Sequence, residues 1–167
     1  MNNLAIINPS SNDKEHYKSS KKIYAQTKGY SFYIEDDNWI LDKNKTVYLT
    51  QLKSALKDEV LESVLKVLAF YASNSSPAHT ANVASYFLHM IKATGASEVT
   101  DTMLINYRAY LTTSKEYYLG TVRGFLRKWY ELGYYGVDED VVRLLDSWRI
   151  KGNRKGDAVK RQDPREG

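Results

Sequence analysis

Apolar and polar positions change period several times along this chain. Residues 1–29 show little periodicity and are rich in Asn, Ser and Lys, which reads as a flexible polar arm. From residue 30 the pattern alternates. Tyr30, Phe32 and Ile34 interleave with Ser31 and Tyr33, and Asp36-Asp37-Asn38 is a turn signal. Trp39-Ile40-Leu41 and Thr46-Val47-Tyr48-Leu49 then flank the polar Asp42-Lys43-Asn44-Lys45. This pattern predicts a β-hairpin. A lone hairpin is marginal in water, so it must pack on the next element. That element is a helix over residues 52–72, striped by Leu56, Val60, Leu61, Val64, Leu65 and Leu68. Asp58 and Glu59 near its start suit the helix dipole. Residues 30–74 are therefore an N-terminal extension of hairpin plus helix.

Ser73-Asn74-Ser75-Ser76-Pro77 breaks that helix, and the period of a compact helical unit follows over residues 75–150. Ser76 is an N-cap with Pro77 at the first helical position. Val83, Ala84, Phe87, Leu88 and Ile91 line one face to about residue 92, and Gly95 ends the helix. Thr100 caps the next helix, with Val99 and Leu104 spaced as a hydrophobic staple. Leu104, Tyr107 and Leu111 face inward there. A third helix runs over 115–133, capped by Ser114 and ended by Gly133. Tyr118, Val122, Phe125, Trp129 and Leu132 form its stripe, with Arg123, Arg127 and Lys128 off the stripe toward solvent. Asp138 caps a fourth helix with Val141, Leu144, Leu145 and Trp148 on its apolar face. Beyond residue 150 the apolar pattern stops, and residues 151–167 read as a basic linker toward a further domain. The fold class is mainly α: four helices preceded by a small β-hairpin plus helix.

Composition narrows the chemistry. The 167 residues are 43% hydrophobic, enough for one core. There is no cysteine, which excludes disulfides and thiolate metal sites. No run of apolar residues suggests a membrane span, and the first residues lack a secretory layout, so the expected compartment is the cytoplasm. The net charge of +4 is a mild basic bias, compatible with nucleic acid. Fourteen tyrosines suit interfaces as well as half-buried packing. No metal cluster, nucleotide loop or nucleophile–base pair is visible, so no cofactor and no catalytic residue is assigned.

Val122-Arg123-Gly124-Phe125-Leu126-Arg127-Lys128-Trp129 resembles the "R-x-F-x-x-W" helix in the core-binding, SAM-like domain of tyrosine recombinases, the phage-integrase family. Thr80, Asn82 and Phe87 are similar to that family's first-helix pattern, and Tyr107 and Leu111 to its second. The linker, with Lys151-Gly152-Asn153, Lys155-Gly156, Ala158-Val159 and Asp163-Pro164, is similar to the one that leads to the catalytic domain. The resemblance covers residues 75–167 and leaves 1–74 without a family motif. It implies DNA integration or another site-specific recombination by a bacterial or mobile-element protein, nucleoid-associated, that acts with further protomers on double-stranded DNA. It also implies that strand cleavage belongs to a second domain. The family's His-x-x-Arg is absent, since Ser19, Asn82 and Lys92 follow His16, His79 and His89 at that spacing. Gly120-Thr121-Val122-Arg123 is similar to the first catalytic-arginine box but has the wrong order.

On this reading, cations supply salt-sensitive phosphate contacts. The candidates are Lys92, Arg108, Lys115, Arg123, Arg127, Lys128, Arg149, Lys151, Arg154, Lys155, Lys160 and Arg161. His79, Thr80 and Asn82, in the first turns of their helix, are candidates for phosphate or base-edge hydrogen bonds. Two alternatives stand beside it: another helical DNA-binding regulator, and a helical protein-interaction module. Clustering of Arg108, Arg123, Arg127 and the linker cations on one surface would favour DNA. Dispersed charges with an exposed aromatic patch would favour the interaction module.

Overall fold

The computed structural model describes residues 21–150. Most of the arm and the whole linker lie outside these residues. The described chain is mainly helical, with two small antiparallel hairpins. Its strands are β1 (Lys22–Tyr24), β2 (Ser31–Tyr33), β3 (Asn38–Ile40) and β4 (Thr46–Tyr48). Its helices are α1 (Thr50–Ala55), α2 (Asp58–Asn74), α3 (Pro77–Thr94), α4 (Asp101–Tyr110), α5 (Tyr118–Leu132) and α6 (Glu139–Ser147).

The β3–β4 hairpin matches the sequence pattern, with Trp39 opposite Val47 and Ile40 opposite Thr46. The alternation at 30–34 has a different partner from any the sequence suggested. β2 pairs with β1, Ile23 opposite Phe32, so the end of the stretch read as an arm is a strand. The two hairpins are joined by the stacking of Phe32 on Trp39, ring centroids 4.3 Å apart. Both rings are buried while the neighbouring strand positions point outward, the period of two that a half-buried sheet requires.

The predicted helix over 52–72 is two helices. Leu56 (ψ 150°) and Lys57 (ψ 149°) are extended and separate α1 from α2. A tertiary contact accounts for the break. Lys57 donates its backbone N–H to Ser97 O at 3.1 Å and its ammonium pairs with Glu98 at 2.9 Å, which ties this joint to the α3–α4 turn. Leu56 keeps its buried position, so the stripe is preserved across the interruption.

The cap residues behave as their chemistry dictates. The Ser76 hydroxyl accepts from His79 N–H, Thr100 from Met103 N–H and Asp138 from Val141 N–H. Gly95 and Gly133 close α3 and α5 in the left-handed region, at φ 67° and 81°. The third helix of the unit starts later than predicted. Thr113–Lys115 form a 3-10 turn, Ser114 caps nothing, and α5 begins at Tyr118 without a side-chain cap. Its buried face is Leu119, Val122, Phe125, Leu126 and Trp129, so Tyr118 and Leu132 sit at the margins of the stripe.

One continuous buried cluster runs from Phe32 and Trp39 through α2, α3 and α5 to Leu145 and Trp148. The extension and the helical unit therefore share a core. Trp129 is fully buried against Phe87 and Phe125, and its indole N–H donates to Tyr135 O at 2.9 Å. Gly136, at φ +121°, lies so close to this ring that a Cβ there would meet Trp129 Cζ2 at 2.7 Å. That contact fixes the turn from which α6 starts.

Candidate nucleic-acid interface

The structure separates the sequence candidates into residues that hold the fold and residues that face outward. Arg123 is half-buried and points at the end of α6. Its Nη1 donates to Trp148 O at 3.0 Å and to Leu145 O at 3.3 Å. Arg127 pairs with Asp146 of α6, with Nε 2.9 Å from Oδ1. Arg108 donates to Glu116 at 3.3 Å and to Arg149 O at 2.9 Å, and its guanidinium stacks over Trp148 at 5.1 Å. These three arginines thus bind the last helix and the chain just after it. They do not form one open basic face, which corrects the expectation drawn from their polar helix positions. A guanidinium presents up to five donors in a fixed fork, well suited to orphan carbonyls at a helix end.

Other candidates are also engaged. Thr80 is buried and donates its hydroxyl to Tyr71 O at 3.0 Å, so it has no group to offer a ligand. Lys128 pairs with Glu131 at 3.0 Å and lies over Phe70 at 5.2 Å. The His79 ring leans on Tyr71, with centroids 5.8 Å apart. Asn82, Lys115 and Arg149 are exposed, and their side chains have no hydrogen-bond or ion-pair partner among the described residues. Lys92 is exposed and donates to Gln51 at 2.9 Å. Lys151, Arg154, Lys155, Lys160 and Arg161 lie outside the described residues.

Around α4 the remaining cations acquire a common setting. Met103, Leu104 and Tyr107 are buried, which turns Thr102, Ile105, Asn106 and Ala109 to solvent on the opposite side. This outer face is uncharged apart from Asp101, exposed at its N-terminal edge one turn before Ile105, which itself stays 53% exposed. On one flank lie Arg108 and, through its hydrogen bond to the backbone, Arg149. On the other flank Tyr110 leans on His89, with centroids 6.1 Å apart, and a shallow groove continues past Ser85 and His89 to Lys92. His89 Nδ1 and the Tyr107 hydroxyl share a 2.7 Å hydrogen bond. Burial depresses the His89 pKa, and the nearby charges of Lys115 and Lys92 depress it further. The imidazole is therefore neutral near pH 7, and the positive charge at this flank belongs to the two lysines. Tyr86 stacks on Tyr118 beside His89, at 4.4 Å, and closes the cluster.

The sequence reading missed Thr102, Ile105, Asn106 and Ala109. Their signal lies in the sequence as the complement of the Leu104–Tyr107 stripe, in uncharged residues that carry no cation signature. Among the described residues, no group of three or more His, Asp or Glu side chains is placed to hold a metal ion. No helix among them is long and apolar enough to cross a membrane. No protein-family model, no curated protein and no solved structure matches this chain.

Proposed function

We propose that this chain is the DNA-binding N-terminal part of a site-specific tyrosine recombinase of the phage-integrase class. In this reading α3–α6 form a SAM-like core-binding domain that lays α4 against duplex DNA among further protomers. Strand cleavage belongs to a catalytic domain beyond the linker. The observation that carries the reading is the uncharged stretch Thr102, Ile105, Asn106 and Ala109 on the outer face of α4, with cations beyond both flanks and a single carboxylate, Asp101, at its N-terminal edge. A helix of this length spans about 15 Å, and the major groove, about 12 Å wide, admits such a helix. Ile105 and Ala109 suit thymine methyl groups, and Asn106 suits an adenine edge. Lys92, Lys115 and Arg149 would then lie toward the phosphates that border the groove, fixing register without reading sequence.

The test is duplex binding by the whole chain, titrated over several salt concentrations. The Lys92→Gln/Arg149→Gln variant is expected to flatten the log–log salt slope by about 1.8, since each phosphate contact contributes about 0.9. Ile105→Glu, which sets a carboxylate in the centre of the face, is expected to abolish binding with the circular dichroism spectrum unchanged. Absence of duplex binding even at low salt would overturn the reading. The exposure of Ile105 (53%) and Tyr110 (59%) also suits a helical protein-interaction module. That second reading would be favoured if the chain ignored DNA but self-associated in a manner sensitive to Ile105→Glu.

A further inference from the structure

The charge of the β3–β4 hairpin is arranged unlike that of the helical unit. Its carboxylates are held locally. Asp42 Oδ1 accepts from the backbone N–H groups of Asn44 at 2.8 Å and Lys45 at 2.7 Å. Asp37 pairs with Lys53 at 2.8 Å, and Asp36 accepts from Tyr33 N–H at 2.9 Å. At the tip, the Lys43 and Lys45 ammonium groups are exposed, with no hydrogen bond or ion pair among the described residues. The turn beneath them is well defined, because Leu41 N–H also donates to Lys45 O at 2.9 Å. Tyr48, 66% exposed, continues the outer side of β4 toward α1. The strand packs on α3, and Gln51, just after it, hydrogen-bonds Lys92 at 2.9 Å. Lys92 is the cation on the near flank of the α4 face. The hairpin thus joins the near flank of the α4 face through Gln51 and Lys92, and its tip carries two exposed lysines without an ion pair against one carboxylate, Asp42, which is held by backbone N–H groups.

We infer that the β3–β4 hairpin is a second phosphate-binding element, which grips the duplex beyond the stretch covered by α4. This rests on the reading of α4 as the DNA-facing helix. At about 3.3 Å per residue, the strand from Lys45 to Leu49 covers about 13 Å. Duplex DNA rises about 3.4 Å per base pair, so the tip lysines reach phosphates about four base pairs farther along. Lysine fits this role as a flexible point charge that follows the backbone without reading bases.

The experiment compares a loop-closed duplex of about 6 base pairs, long enough for the roughly 15 Å of α4 but too short to reach the tip as well, with one of about 20 base pairs, using the whole chain and a Lys43→Gln/Lys45→Gln variant. Both substitutions leave the turn's backbone hydrogen bonds intact, and circular dichroism checks that they do. On the longer duplex the variant's salt slope is expected to fall by about 1.8, two contacts at about 0.9 each. On the shorter duplex it is expected to match the parent. A slope unchanged on the longer duplex, while Lys92→Gln/Arg149→Gln still lowers it, would overturn the hairpin inference and leave the α4 reading standing. An equal loss on both duplexes would also overturn it, because the lysines would then act inside the α4 footprint. No duplex binding at all would overturn both.

Discussion

Replacing Arg123 by Met distinguishes a fold-holding arginine from a DNA-gripping one. The aliphatic stem is retained and the donors are lost. In the native chain Nη1 reaches Trp148 O at 3.0 Å and Leu145 O at 3.3 Å, carbonyls at the end of α6. Leu145 O also accepts from the Trp148 N–H at 3.2 Å, so Arg123 supplies its second bond, and both carbonyls lie at the negative end of the helix dipole. A hydrogen bond from a charged donor contributes about 1.5–3 kcal/mol. The guanidinium is only half-buried and the second bond is long, so the pair together sits near the lower end of that range. The dipole adds about 0.3–1 kcal/mol. The expected loss is about 2–3 kcal/mol, a large share of a typical stability of about 5–15 kcal/mol. For a domain of this size the melting temperature should fall by about 6–12 °C. Thermal unfolding followed by circular dichroism and by tryptophan fluorescence measures it, since Trp148 lies at the affected end. In the proposed DNA-binding role, the affinity of the folded variant should stay within about twofold. A loss of stability below about 0.5 kcal/mol together with a clear drop in DNA affinity would refute the reasoning and return Arg123 to the phosphate-facing role its sequence position suggested.

Two further outcomes follow from the geometry. Gly136→Ala forces a Cβ to 2.7 Å from the fully buried Trp129 ring at φ +121°; strain plus overpacking should cost more than about 2 kcal/mol, read as a shift of the urea midpoint at constant slope. His89 titrates below its unfolded value of about 6.5, so below that pH the unfolded state binds the extra proton and stability falls, while above it the contribution is fully present; His89→Gln should flatten the stability–pH curve between about pH 5 and 7, and an unchanged curve would contradict the assigned shift.

Much of the architecture was legible in the sequence because it is set by local chemistry. Ser76, Thr100 and Asp138 each offer an oxygen to the amide three residues on, and no distant contact is needed for that. Gly95 and Gly133 end helices for an equally local reason. The stripes of α2 and α5 follow from helical period alone, and the alternation around Trp39 and Val47 from strand period. Where the sequence misled, partners remote in the chain decided the outcome. β1 is a three-residue strand in lysine-rich surroundings, and only pairing with β2 gives it a reason to extend. The α1–α2 break answers Ser97 and Glu98, about forty residues away.

The site divides along the same line. Sequence determined the cation inventory, the absence of cysteine, and the uncharged stretch Thr102, Ile105, Asn106 and Ala109 of α4. It could not determine which cations remain free, because that depends on which carboxylates and carbonyls each long side chain meets. Tertiary structure turned Arg108, Arg123 and Arg127 onto α6 and its exit, and buried the Thr80 hydroxyl. It also set Lys92 and Lys115 around one histidine. An arginine on a polar helix face carries the same charge in either role; only the packing of α5 against α6 decides whether that charge meets a carbonyl or solvent.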